Sequence, residues 1–423
     1  MATETTAPQA DLSIVAARAK AAGRRLAALS SGQKNDALTR MARALEARTG
    51  DILAENAKDV DQARAAEVGS ALVDRLLLDE SRIADMAKGV RDIAALPDPV
   101  GVIDTGWTLP NGLKVSKKRI PLGVIAVIYE SRPNVTSDTA ALALKSGNAI
   151  ILRGSSMAAR SNQIIVDVLL GALGDSEVPT DAVQLLGTDR ADLERLIGME
   201  GEIDVVIPRG GEGLKKFLGE HSRIPVIYAA SGNCHVYVHE DADLEMAAGI
   251  TMNAKTQRPG VCNAAETLLV HREVAAQFLP RIGRELSEAG VELRASDEAA
   301  KFMGDLEVTP ASEEDFATEY LDLILAVGVV DSVEEATDHI SRYGSGHSEA
   351  IVTSSLAAAG RFEAGIDSAC VYINASTRFT DGGEFGMGAE VANSTQKLHA
   401  RGPVGLAELT TYQYLVIGDG HLR

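Results

Sequence analysis

A chain of 423 residues is too long for one hydrophobic core, so two or more domains are expected. With 45% apolar and 24% charged residues it has the mix of a soluble globular protein, and with aromatics at only 4% its cores must be built from Ala, Val, Ile and Leu. A net charge of −19 argues against nucleic acid or an anionic membrane as partner, since both select basic surfaces, but leaves room for a local phosphate site.

Cys234, Cys262 and Cys370 lie far apart and form no CxxC or Cys/His metal spacing. A sparse, odd count in a long chain predicts reduced thiols, a cytoplasmic location and no metal. The opening residues MATETTAPQADLS lack the basic and apolar regions of a secretory leader, and no run approaches the ~20 apolar residues of a membrane span.

Residues 12–96 are predicted to be helical. Asp79 can cap a segment in which Ile83, Met86, Val90 and Ile93 recur at spacings of three and four, and Leu38, Met41 and Leu45 form a similar stripe. Alternation then begins through Ile103, Thr105, Trp107 and Leu109 and resumes at Leu113, Val115 and Lys117, with Asn111-Gly112 between. That dipeptide predicts a hairpin whose two central residues both have positive φ.

From residue 121 onward, short apolar runs at 124–129, 149–152, 183–186, 205–207 and 226–229 alternate with helical patterns at 135–145, 157–173 and 189–197. Continuous apolar strands separated by helices predict a parallel sheet covered on both faces, with ligands at the carboxyl ends of its strands. A second α/β region starts near Gly232, with strands at 236–239, 267–270, 323–329, 350–352 and 371–373. The tail at 408–417 alternates again without an evident local partner, which predicts pairing elsewhere or with another subunit.

The stretch Lys255-Thr-Gln-Arg-Pro-Gly-Val-Cys262-Asn263 concentrates the chemistry. Pro259 and Gly260 end a helix and force a turn, and Lys255 and Arg258 are cations available to favour a Cys262 thiolate. A small buried cysteine in a loop fits the pattern equally well, and Cys234 and Cys370, beside apolar runs, read as core. In Tyr129-Glu-Ser-Arg-Pro-Asn134, the asparagine is either an amide donor to an oxyanion or a helix N-cap. Arg153-Gly-Ser155-Ser follows the second strand, where a guanidinium can hold a ribose or a 2′-phosphate. Pro208-Arg-Gly210-Gly211-Glu-Gly213 leads into a helix and can face a phosphate, but Lys216 stands where a G-x-G-x-x-G motif needs its third glycine. His235 and His239 offer no metal spacing.

Taken together, YESRPN, LKSGNAIILRG, PRGGEG, SGNCHVYV, NAKTQRPGVCNAAETLLVH, NASTRFTDGGEFGMGAEV and STQKLHARGPVGL resemble the γ-glutamyl phosphate reductases, a branch of the aldehyde dehydrogenase superfamily. The resemblance runs from about Leu12 to the C-terminus. It implies an α/β, aldehyde-dehydrogenase-like fold: two doubly wound α/β domains plus a small β oligomerisation element. The dinucleotide-binding domain would span residues 1–100 and 120–231, the catalytic domain 232–390, and the oligomerisation hairpin and tail 101–119 and 391–423. It also implies Cys262 as nucleophile, Asn134 with the Cys262 N–H as oxyanion donors, and NADPH held through Arg153, Ser155, Gly210, Gly211 and Glu319. Glu314 competes with Glu319 for the nicotinamide ribose. Arg132, Arg258 and Arg378 are anchors for substrate phosphate or carboxylate, on charge more than on the resemblance. Hydrolytic aldehyde dehydrogenases carry an E-L-G-G segment whose glutamate activates water, whereas the corresponding stretch here is Ala230-Ser231-Gly232-Asn233.

The activity so implied is reduction of γ-glutamyl phosphate to glutamate 5-semialdehyde in proline biosynthesis, by a cytoplasmic homo-oligomer (dimer or tetramer) with glutamate 5-kinase as upstream supplier. The alternatives are another acyl phosphate, acyl-CoA or aldehyde as substrate, a cysteine acyltransferase or amidase on a similar sheet, and a catalytically silent binding protein.

Overall fold

Side-chain caps set the helices of the N-terminal layer. Ser30 and Gln33 form a reciprocal capping box at the start of helix Ser31–Ala47, and the Asp79 carboxylate accepts the Arg82 N–H at 2.7 Å to open helix Glu80–Ala95. The apolar stripes behave as their spacing predicts, with Leu38, Met41 and Leu45 buried on the first and Ile83, Met86, Val90 and Ile93 on the second. Lys34, wholly buried, is satisfied by Asp98 at 2.5 Å and by the Lys145 carbonyl at 3.1 Å. The computed structural model describes residues 12–423, so the leader reading of residues 1–11 lies outside the described residues.

The chain forms two compact units. The first comprises residues up to Tyr228 with Gly386–Ala392 and Val404–Arg423, and the second comprises Ala229–Phe385 with Asn393–Pro403. The stretch 391–423 is therefore shared between the units rather than being a body of its own.

The first unit holds a four-stranded parallel sheet in the order Val183–Leu185, Ala149–Arg153, Val124–Tyr129, Val205–Arg209. Strand Val124–Tyr129 is buried throughout because its sheet is covered on both faces. The apolar run at 226–229 does not become a strand; it makes a single bridge, Val226 to Val206. The strand order reverses beside Val124–Tyr129, and the rule for open α/β sheets puts a ligand at the carboxyl ends beside such a switch point.

A separate three-stranded sheet joins Ile103–Thr108, Lys114–Pro121 and the tail strand Thr410–Ile417. The tail does have a partner in its own chain: it pairs antiparallel with Lys114–Pro121 from Thr410 opposite Pro121 to Ile417 opposite Lys114. Contact at such sequence distance is invisible to local pattern. The hairpin turn also differs from expectation, since Gly112 (φ 92°) has positive φ but Asn111 does not, and the Gly112 N–H closes a turn on the Leu109 carbonyl at 2.8 Å.

The second unit carries seven parallel strands in the order Thr309–Pro310, Glu292–Ala295, Ile324–Val330, Ala265–His271, Cys234–Val238, Ser348–Val352, Cys370–Ile373. The five strands expected from the sequence are its centre and one edge, and the two added strands are short.

Deleting the residues after Leu409 removes the whole third strand of the separate sheet. Strand Lys114–Pro121 is then left with a bare edge, and light scattering should show aggregates. A truncated chain that scatters like the intact one would show that the tail strand is dispensable.

Candidate active site

Strand ends in the first unit gather six of the expected residues. Glu130–Asn134 follows the strand at the switch point, Gly210 and Gly211 follow its neighbour Val205–Arg209, and Arg153 and Ser155 end the strand on the other side. Asn134 is exposed and is the first residue of helix Asn134–Lys145, whose N-cap is Pro133, so the N-cap reading of Asn134 does not hold. Its side-chain amide donates to Asp138 at 3.0 Å, one of the two N–H bonds the amide possesses. Burial pushes Asp138 up to about 6, against the pull of its hydrogen bonds from Asn134 and Ser137 and of the Arg209 charge.

Arg153 donates from Nη2 to the Thr188 carbonyl at 2.8 Å and lies partly buried, which lowers its pKa from the usual value against the pull of Asp192 and Asp189. Its Nε and the Ser155 Oγ are buried without a hydrogen-bond partner. Two orphaned polar atoms at one strand end fit a polar ligand such as a dinucleotide ribose or phosphate. Gly210 is closely approached: a Cβ there would stand 2.8 Å from a Glu130 carboxylate oxygen and 2.9 Å from Leu214, so those side chains would have to move aside. Gly211 has open space around it and serves as N-cap of helix Glu212–His221. Arg132 is exposed in the loop after the central strand.

In the second unit the Cys262 loop sits at the amino ends of the strands. Helix Leu244–Thr256 ends, Pro259 and Gly260 turn the chain, and a turn closed by the Ala264 N–H on the Val261 carbonyl at 3.0 Å presents Cys262 half-buried before strand Ala265–His271. The backbone of the loop is fixed from several sides. Thr377 donates to the Asn263 carbonyl at 2.7 Å, and the Asn263 amide donates to the Thr380 carbonyl at 2.9 Å. The buried Cys234 thiol donates to the Cys262 carbonyl at 3.2 Å. A Cβ on Gly232 would stand 1.3 Å from the Cys262 carbonyl oxygen and 2.7 Å from its Cα, so only glycine fits at that position.

Lys255 is not the cation beside the thiol that the sequence suggested. It is wholly buried and paired with the equally buried Glu266 at 2.6 Å. Arg378 does couple to Cys262; its Nε donates to Gln257 at 2.9 Å, and it also feels Arg258. Burial and then Arg258 lower the Arg378 pKa, while Asp381 and Cys262 oppose them. Arg378 thus stands in the electrostatic neighbourhood of Cys262, and Arg258 in that of Arg378.

Glu319 directs Oε1 at the Gly232 N–H, 2.6 Å away. A carboxylate therefore does reach the Ala230–Asn233 stretch, from another segment, and its oxygen is engaged with backbone. Glu314 lies exposed on the short helix Glu313–Ala317. The remaining candidates are structural: His235 pairs with Glu349 and His239 with Asp241, while Cys234 and Cys370 are buried and outside any disulfide. Among the described residues no cluster of His, Cys, Asp and Glu has the makings of a metal site, and no helix is long and apolar enough to cross a membrane.

The model of the aldehyde dehydrogenase family matches residues 1–315. The chain belongs to the aldehyde dehydrogenase family, in its γ-glutamyl phosphate reductase branch. It is 53% identical over 414 residues to the γ-glutamyl phosphate reductase of Thermoanaerobacter pseudethanolicus, covering 98% of this chain and 100% of that one. The corresponding protein of Thermobifida fusca is 55% identical, with 98% and 99% covered. The crystal structure of γ-glutamyl phosphate reductase from Thermotoga maritima superposes with a TM-score of 0.95 at 47% identity, covering 97% of this chain and 99% of that one. An acetylating aldehyde dehydrogenase from Geobacillus thermoglucosidasius, 18% identical with a TM-score of 0.67, shares the fold. The aldehyde-dehydrogenase-like α/β architecture expected from the motifs is thus the one the chain adopts.

Gly232→Ala forces a methyl group into the backbone of the Cys262 loop. The denaturant midpoint should fall by an amount equivalent to about 3 kcal/mol, the upper range for overpacking a tight site. A variant as stable as the parent would mean that the loop has room to shift.

Proposed function

We propose that this family member reduces γ-glutamyl phosphate to glutamate 5-semialdehyde, through a thioester on Cys262, as a step of proline biosynthesis. The observation that carries the reading is the Cys262 turn, half-buried and electrostatically coupled to Arg378, in a chain that matches γ-glutamyl phosphate reductases almost end to end.

The Cys262 thiolate attacks the acyl carbon and inorganic phosphate leaves. Ordinary cysteine, with a pKa of about 8.5, is only a few per cent thiolate at neutrality, so the Arg378 and Arg258 charges favour the reactive form as well as the substrate's phosphate. The Cys262 N–H and the Asn134 amide are the donors for the tetrahedral oxyanion, a contribution of about 3–4 kcal/mol for one such donor. Arg153 and Ser155, with their orphaned atoms, and the close-packed Gly210 would hold the dinucleotide; Gly211 and Arg132 complete the expected sets. The dinucleotide, NADPH in this reading, supplies the hydride that converts the thioester to the aldehyde level. Release of the aldehyde restores the thiolate.

Water must not take the thioester first. Of the carboxylates near the loop, Glu266 is buried with one oxygen on Lys255 and the other accepting the Leu321 N–H at 3.1 Å, and Glu319 accepts from Gly232. These bonds oppose a role as water-activating base. The reading also includes a cytoplasmic homo-oligomer, dimer or tetramer, supplied by glutamate 5-kinase. Exposed Ile103, Trp107, Tyr414 and Ile417 on the three-stranded sheet are apolar surface in need of cover.

Arg153→Ala should weaken NADPH more than NADH, because charge-assisted bonds to a 2′-phosphate contribute roughly 1.5–3 kcal/mol each. Fluorescence titration of both dinucleotides measures this, and equal losses would remove Arg153 from that role.

Run backwards in phosphate-free buffer, glutamate 5-semialdehyde and NADP⁺ should give a burst of about one NADPH per active site and then a much slower rate. Phosphate, or arsenate in its place, should restore continuous turnover, and Cys262→Ala should abolish the burst. Sustained phosphate-independent turnover with glutamate accumulating would make this a hydrolytic dehydrogenase instead.

A further inference from the structure

The core of the second unit holds a fully enclosed lysine–carboxylate pair. Lys255 and Glu266 have side chains at 0% exposure and meet at 2.6 Å. Taking two charges out of water costs several kcal/mol per ion, so such a pair is a poor device for stability alone. Its position is informative. Lys255 lies in the last turn of helix Leu244–Thr256 and Glu266 is the second residue of strand Ala265–His271, so the two bracket the loop that carries Cys262.

The pair does not end at the loop's neck. The second Glu266 oxygen accepts the N–H of Leu321, a residue held at φ 56°, in the left-handed region that a branched side chain rarely enters. Two residues earlier, Glu319 accepts the N–H of Gly232, and Gly232 lies against the Cys262 backbone too closely for any side chain. The links close a ring: Lys255 to Glu266, Glu266 to Leu321, Glu319 to Gly232, Gly232 to Cys262, and along the loop back to Lys255. Burial lifts Glu266 to about 7 against the opposing effects of Lys255 and the Leu321 N–H, as expected where enclosure dominates.

We propose that Lys255, Glu266 and Glu319 are positioning residues, which hold the 319–321 segment and Gly232 as a fixed floor under the Cys262 peptide and so set the direction of its thiol and N–H. This rests on Cys262 being the nucleophile. It gives Glu319 a task on the protein backbone, in place of one on the nicotinamide ribose.

The labelling arm of the test reads the thiol itself, without dinucleotide or substrate, so that this arm stands apart from the proposed reaction. Iodoacetamide labelling of Cys262 is followed by peptide mass spectrometry in the full chain. Lys255→Met with Glu266→Leu replaces the pair by apolar side chains of similar volume, an exchange that buried ion pairs often tolerate. It should keep the melting temperature yet change the labelling rate about tenfold and lower kcat by about a hundredfold with little change in KM, the pattern of a misplaced reacting group. Lys255→Met with Glu266→Gln retains an oxygen for the Leu321 N–H and should recover most of the kcat. Glu319→Ala, at a half-buried position, opens the ring at its other end and should alter labelling by a similar factor, with NADPH affinity changed less than threefold. Wild-type labelling and kcat in a folded Met/Leu protein would overturn the proposal. So would unchanged labelling in Glu319→Ala, whatever becomes of the buried-pair variants.

Discussion

The Cα of Gly232 and the backbone of Cys262 touch so closely that a methyl group would overlap the Cys262 carbonyl. Two backbones at that distance fix each other, and the rest of the second unit is arranged around the contact. Gly232 leads directly into strand Cys234–Val238 and Cys262 into the neighbouring strand Ala265–His271, so the contact lies between the amino ends of paired strands. The thiol of Cys234 and the side chains of Asn263 and Thr377 then take up the polar groups around it. On the proposed reading, a sulfur held this way needs little reorganisation to meet a substrate, which is the condition under which proximity contributes most.

The two units place their candidate residues at opposite ends of their sheets. In the first, Arg153, Ser155, Gly210 and the Glu130–Asn134 loop follow the carboxyl ends, as the rule for open α/β sheets has it. In the second, Gly232, Cys262 and Glu319 all precede their strands. One orphaned guanidinium nitrogen and one orphaned hydroxyl mark the first, whereas the second is marked by arginine charge and by the orphaned amide oxygens of Asn233 and Asn263 beside the Cys262 loop.

Much of this was legible from residues. The parallel strands followed from unbroken apolar runs, and Pro259-Gly260 announced that Cys262 would be presented on a turn. The first unit's loops were found because the carboxyl-end rule says where to look. The tail's pairing with Lys114–Pro121 was not legible, because roughly three hundred residues separate the strands and alternation carries no address. Lys255 was misplaced for a related reason: nearness in sequence to Cys262 suggested a surface cation, while the burial of the end of its helix turned it inward to Glu266. One signal was available. Glu266 stands in Ala-Glu-Thr-Leu-Leu-Val, and an acid within a central strand must find a partner. Gly232 gave no such sign, since a contact between two backbones leaves no mark on residue type beyond glycine itself.

The parts that hold Cys262 come from residues 232–234, 255–266, 319–321 and 377–380, four segments joined through a seven-stranded parallel sheet. Parallel pairing is non-local and forms slowly, because long loops must close before any contact rewards them. A nascent or partly folded chain therefore carries Cys262 as an ordinary thiol, without its floor or its neighbouring arginine. On the proposed reading, the chemistry of this cysteine would serve as its own certificate of a finished fold, because the segments around it meet only once the sheet has formed.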